Sequence, residues 1–189
     1  VEIFDRVVKA AEGAALGTGT TMKYDIIGGT HDLLINKTLA EVMQTNLEKV
    51  GGITYSEEEK AFAKKIQPTF NGAPVAIETV ANIKPLSYEV GGGNTGSTDV
   101  GDVSYLKPTV GARVATWVPG TPAHSWQAVA AGGMSIGRKG MMVAAKTLAA
   151  TAMDLFKKPV LIEEARTEWL TKRGGAESQY KSLLGDRKP

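Results

Sequence analysis

Cysteine is missing from all 189 residues, which excludes a disulfide framework, a thiolate metal site and a cysteine nucleophile. Any metal would have to be held by histidine and carboxylate. Histidine is itself scarce: the chain has two, His31 and His124, and no HxH, HxxxH or HExxH pairing exists to join them. A strong charge of either sign is lacking too. Lys and Arg (22) nearly balance Asp and Glu (20), leaving a net charge of +2, and no basic run forms a patch, so nucleic acid is set aside as a partner. No apolar run reaches the roughly 18 to 20 residues that span a bilayer, and no basic region followed by an apolar one opens the chain. The expectation is a cytoplasmic protein that does not enter a membrane. What is present is a globular composition, 42% hydrophobic and 22% charged, too apolar for disorder.

Along the chain, residues 1–16 place Ile3, Val7, Val8, Ala11 and Ala15 at helical spacing, and Gly17 and Gly19 end that helix. Val1 is not Met and no capping residue precedes the helix, which reads as the start of a fragment of a longer protein. Residues 20–28 alternate and are β-branched, predicting a strand that stops at Gly28-Gly29. From Asn36 a helix is predicted with Leu39, Val42, Met43, Leu47 and Val50 on one face. Thr38 with Glu41 has the spacing of a capping box, and Asn36 could cap as well. Ser56 with Glu59 predicts a second capping box and a short charged helix to Ile66. Residues 67–90 carry Pro68, Pro74 and Pro85 and read as irregular. The stretch 91–102 is too rich in glycine for regular structure. Residues 110–118 then alternate as a strand ended by Pro119-Gly120. Ser125 can cap a long helix over 126–157, whose Ala, Gly and Met residues predict deep burial against other backbone. Pro159 starts a last helix that turns Leu161, Ile162, Ala165, Trp169 and Leu170 toward the core, and a polar tail follows from residue 176.

The loop Gly120-Thr-Pro-Ala-His-Ser-Trp-Gln127 is the candidate active-site element. It puts His124 just beyond a predicted strand and before a helix, where open α/β sheets bind ligands, and imidazole is the commonest side chain on transition metals. One histidine cannot hold a metal alone. Asp99 and Asp102, on the glycine-rich loop, are the carboxylates best placed to share the site; each could orient a ligand or simply satisfy N–H groups of its own turn. His31 reads as a polar residue in a connection. Arg113 could clamp a carboxylate or point outward from an edge. The glycine-rich loop lacks GxxxxGK[ST], so the case for a phosphate cradle is weak.

Gly96-Ser-Thr-Asp-Val-Gly-Asp-Val-Ser-Tyr105, the His124 loop and His31-Asp-Leu-Leu-Ile-Asn-Lys37 onward together resemble the C-terminal half of dinuclear-metal amidohydrolases. These form the aminoacylase and carboxypeptidase-G group of metallopeptidase clan MH. Within that group the chain is most similar to the B-type branch of the aminobenzoyl-glutamate utilization proteins. The resemblance covers most of residues 25–157. It implies an α/β fold: the second half of a zinc-peptidase-like three-layer catalytic domain over 31–175. Residues 1–30 would be the last helix and strand of an inserted α+β lid that usually dimerises, and 176–189 a tail. It also implies hydrolysis of the amide bond of an N-acyl or aminobenzoyl amino acid, two divalent ions (Zn2+ or Mn2+), and a homodimer. By the same resemblance His124 is a metal ligand, while Gly96, Thr98 and Asp99 border the substrate pocket. The remaining ligands and the general base would lie in a missing N-terminal half, so the chain would be inactive alone. The competing reading is a non-catalytic interaction or assembly module.

Overall fold

A computed structural model describes residues 2–88 and 98–184. They fall into two compact units, one holding the residues up to His31 and those from Lys181 onward, the other running from Asp32 to Tyr180. No helix among the described residues is long and apolar enough to cross a membrane.

The first unit is built on α1 (Glu2–Thr18). Its end is closed by Gly19, whose φ of 64° is open to glycine without a Cβ penalty, and by a hydrogen bond from Thr20 N–H to Ala15 O. The amphipathic face read from the sequence is uncovered: α1 buries no residue, and Ile3, Val7 and Leu16 are exposed. Residues 20–28 form no strand. An extended segment becomes a strand only when a neighbour accepts and returns its backbone hydrogen bonds, and none of the described residues does so here. His31 Nε2 donates to the carbonyl of Lys181 at 2.9 Å.

The second unit carries α2 (Lys37–Val50), α3 (Glu57–Ile66), α4 (Val100–Leu106), α5 (Trp126–Gly132), α6 (Ser135–Lys157) and α7 (Pro159–Lys172), with 3-10 turns at Gln67–Thr69 and Ile77–Ala81. Local chemistry sets most of the helix starts. Asn36 caps α2 through Leu39 N–H at 3.0 Å, and Ser56 with Glu59 forms the complete capping box of α3. Pro159 opens α7, where a missing N–H costs nothing. Thr38 does not cap, contrary to expectation. It lies inside α2, and its N–H and hydroxyl both donate to Glu168 Oε2 on α7 at 3.0 Å.

The core packs Ile53, Tyr55, Ala63, Ile66, Ile77, Val80, Val118, Ala131 and Ile136 together. Tyr55 donates to Trp117 O at 3.2 Å; burial, and then the charge of Glu59, push its phenol up to about 12. Residues 110–118 keep the predicted alternation in part, with Arg113 exposed and Val118 buried but Ala115 also packed against the core, and they too have no strand partner among the described residues. The α/β expectation is therefore not met among the described residues, which hold helices and extended segments only. The predicted helix over 126–157 is two helices, broken at Gly133-Met134. Its close backbone packing is present: a Cβ on Gly140 would collide with Ala115 O and Thr116 Cγ2. Deep burial is not. One face of α6 is buried through Ile136, Gly137, Gly140, Thr147 and Thr151, while Met141, Leu148, Met153 and Phe156 are exposed. Ile162 on α7 is exposed as well, against the inward orientation read for it.

Candidate functional site

The His124 loop is held at both shoulders. On the leading side Thr121 donates through N–H and hydroxyl to Val118 O, at 3.0 and 2.7 Å. Gln67 bridges Val75 O and Pro119 O at 2.7 and 3.3 Å, and Gly120, at φ 86°, lies against Phe70 and Val75. On the trailing side the Ser125 hydroxyl accepts from Ala128 N–H at 3.2 Å, capping α5 as predicted, and donates to Pro122 O at 2.6 Å. The buried Gln127 amide reaches Thr69 O at 3.2 Å and Thr69 Oγ1 at 3.3 Å. Between these anchors His124 stands exposed with φ 55°, the one non-glycine residue at positive φ among those described. Left-handed backbone costs a β-carbon-bearing residue about 1 kcal/mol. The tethers that impose it leave the imidazole facing solvent, with no hydrogen bond to any described residue. A ring so presented can bind a metal ion or exchange a proton.

The glycine-rich segment is anchored elsewhere. Gly96 lies outside the described residues. Thr98 and Asp99 are exposed ahead of α4. The Thr98 hydroxyl accepts from Val100 N–H at 3.3 Å, and Asp99 occupies the capping position without making a side-chain cap. Regular structure begins inside the stretch read as a loop, because Val100, Gly101 and Asp102 already belong to α4. That helix is fixed by Ser104, whose buried hydroxyl accepts from Leu34 N–H at 2.9 Å and whose carbonyl accepts from Trp169 Nε1 at 2.8 Å. So α4 is tied to residue 34 and α7, and the His124 loop to residues 67–75. No hydrogen bond or ion pair joins Thr98 or Asp99 to His124 among the described residues. Nor do any three His, Asp or Glu side chains among those residues stand as a group able to hold a metal ion. The donors among the described residues do not by themselves complete a metal site.

Comparison with known proteins adds what geometry alone does not. The chain is 38% identical over 188 aligned positions to the B-type chain of the p-aminobenzoyl-glutamate hydrolase of Escherichia coli (strain K12), an alignment covering 88% of this chain and 39% of that protein. It is also 31% identical over 164 positions to the Xaa-Arg dipeptidase of Mus musculus, covering 84% of this chain and 30% of that one. The chain is a relative of hydrolases. It spans between about a third and two-fifths of the length of these relatives. No protein-family model and no solved structure matches it.

Three features of this hydrolase relative are not evident from its sequence. Gln67 and Gln127 position the His124 loop, and nothing local marks a glutamine as a tether. Glu168 draws α7 onto the start of α2 from 130 residues away. The third is a buried cluster in which Glu59 accepts from Ser135 Oγ and Lys139 Nζ, both at 2.5 Å, and from Ser56 N–H at 2.7 Å. Burial raises the Glu59 carboxyl, but these donors outweigh it and hold the group below its ordinary range. Ser135 and Lys139 are one helical turn apart, a spacing that does announce a shared face.

Proposed function

We propose that this chain is part of a metal-dependent amidohydrolase that cleaves the amide bond of an N-acyl or aminobenzoyl amino acid resembling p-aminobenzoyl-glutamate. The protein would belong to the aminoacylase and carboxypeptidase-G group of clan MH. The observation that carries the reading is the 38% identity to the Escherichia coli hydrolase chain, which extends over 88% of this one. The presentation of His124 supports it: the loop accepts backbone strain at this residue while leaving the ring free. His124 is offered as one ligand of a pair of divalent ions, zinc or manganese. Gly96, Thr98 and Asp99 are offered as the border of the substrate pocket.

On this reading the other ligands and the general base come from further polypeptide, arranged as a cytoplasmic homodimer with a three-layer α/β catalytic domain. Residues 110–118, which lack a strand partner among the described residues, would gain one there. Replacing His124 by Ala in the full-length protein is expected to abolish hydrolysis and to lower its metal content. Unchanged turnover with unchanged metal would overturn the assignment.

The exposed apolar side of α6 favours a second reading, a non-catalytic assembly module of the same fold. Metal analysis of the full-length protein separates the two, because an assembly module carries no stoichiometric metal.

A further inference from the structure

A hollow of about 450 Å³ lies between α6 and the chain at Ile53 and Thr54, and its chemistry is lopsided. The floor is apolar, made by Ile53, Met142 and Val143, and the polar lining includes Arg138, Lys139 and Lys146. Arg138, Met142 and Lys146 follow one another at intervals of four along α6. The Cα atoms of Arg138 and Lys146 therefore stand about 12 Å apart along the axis, with Met142 between them, a span that the two long side chains can close from either end.

Lys139 is already engaged. Its ammonium donates to Glu59 at 2.5 Å and to Thr54 O at 2.8 Å, and the oxygens of Glu59 are filled by Ser135, Lys139 and the Ser56 N–H. The Glu59 carboxylate is thus already neutralised. The side chains of Arg138 and Lys146 form no hydrogen bond or ion pair with any described residue and stand beside an apolar floor.

We propose that this hollow binds an amphipathic organic anion. An aromatic or short aliphatic body lies on Ile53, Met142 and Val143, and a carboxylate is held by Arg138, which can engage both of its oxygens, and by Lys146. The apolar floor disfavours a fully hydrated anion such as free phosphate, and the cations disfavour an uncharged body or an amine. The site is separate from the His124 loop and stands whether or not the chain belongs to an amidohydrolase.

The test is titration of the full chain, followed calorimetrically, with 4-phenylbutyrate and with its uncharged counterpart 4-phenylbutanol. The acid is expected to bind about tenfold more tightly than the alcohol. In the double variant Arg138→Gln/Lys146→Gln the affinity for the acid should fall about tenfold while that for the alcohol holds. Met142→Ser should weaken both. Arg138 and Lys146 are exposed, so the double variant should keep its melting temperature. Equal affinity for acid and alcohol, an acid affinity indifferent to the double variant, or no binding of the acid at millimolar concentration each overturns the proposal. Inorganic phosphate competing as well as the acid overturns its amphipathic half.

Discussion

Thr147 lies on the buried face of α6 with a hydroxyl that has no hydrogen-bond partner among the described residues. One turn on, the hydroxyl of Thr151 donates to Thr147 O at 2.8 Å and reaches Met43 Sδ at 3.5 Å. A buried hydroxyl without a partner costs its desolvation and returns nothing, whereas a methyl of the same shape adds apolar burial. Thr147→Val is therefore expected to stabilise the chain by about 1 kcal/mol in urea unfolding, and a loss of stability would show that the hydroxyl is satisfied. Residues with local roles are the legible ones. Asn36, Ser56, Ser125 and Pro159 act on the helix that follows them within three positions, so their spacing is enough. Glu59 reads as half of a capping box, which it is, but its bonds to Ser135 and Lys139 join residues 76 and 80 positions apart, and no local pattern encodes such a separation. His124 is legible as a loop residue of special position. Its left-handed backbone and the two glutamines that secure it are not.

Between elements, one carboxylate gathers four of the hydrogen bonds at the junction of α2 and α7, beside those from Asn36 to Ala165 O and from Lys172 to Ile35 O. Glu168 accepts from Lys37 N–H at 2.7 Å, from Thr38 N–H and hydroxyl at 3.0 Å, and from Lys172 Nζ at 2.6 Å. The N–H groups at a helix start are otherwise unsatisfied and carry the positive end of the helix dipole. Burial pushes the Glu168 carboxyl up, but Lys172, the two N–H groups and the Thr38 hydroxyl outweigh it and bring the group down to about 2 from an ordinary 4.5. A carboxylate whose folded value is depressed contributes stability that is complete above its unfolded value and vanishes as pH falls through the folded one. The window is thus pH 4.5 down to about 2, and the contribution has a ceiling of roughly 3 kcal/mol. Glu168→Gln should lower stability at pH 7 and flatten the acid limb of a pH series of urea unfolding curves. An acid limb as steep as that of the parent would remove Glu168 from its cause. The helices are legible because the apolar period of 3.6 is intrinsic to them. The two predicted strands fail because a strand is defined by its neighbour, and neither 20–28 nor 110–118 has one among the described residues.

On the scale of the whole molecule, the side of α6 turned away from the core carries several large apolar side chains. Leu148 is 51% exposed and Phe156 81%, with Met141 and Met153 exposed on the same helix, and contiguous patches of this kind mark surfaces that another body covers. The composition of residues 126–157 reads as a helix hidden on all sides, but only one of its sides is hidden within this chain. If the outer face is covered by further polypeptide or by a second copy, its residues contribute little to the stability of the chain alone and much to association. The double variant Leu148→Glu/Phe156→Glu is then expected to change the unfolding free energy of the chain by no more than ~0.5 kcal/mol, and, where the cover is a second copy, to abolish the self-association of the parent chain in sedimentation velocity. Introduced into the full-length protein, the same pair should destabilise it as core substitutions do, by roughly 3 kcal/mol or more, because it would place two charges in a covered interface. Should the chain alone lose that much, Leu148 and Phe156 support its own fold and the face is not a docking surface. Should neither protein lose stability or association, the face is ordinary solvent-exposed surface, and the extra polypeptide proposed to complete the His124 site does not reach it.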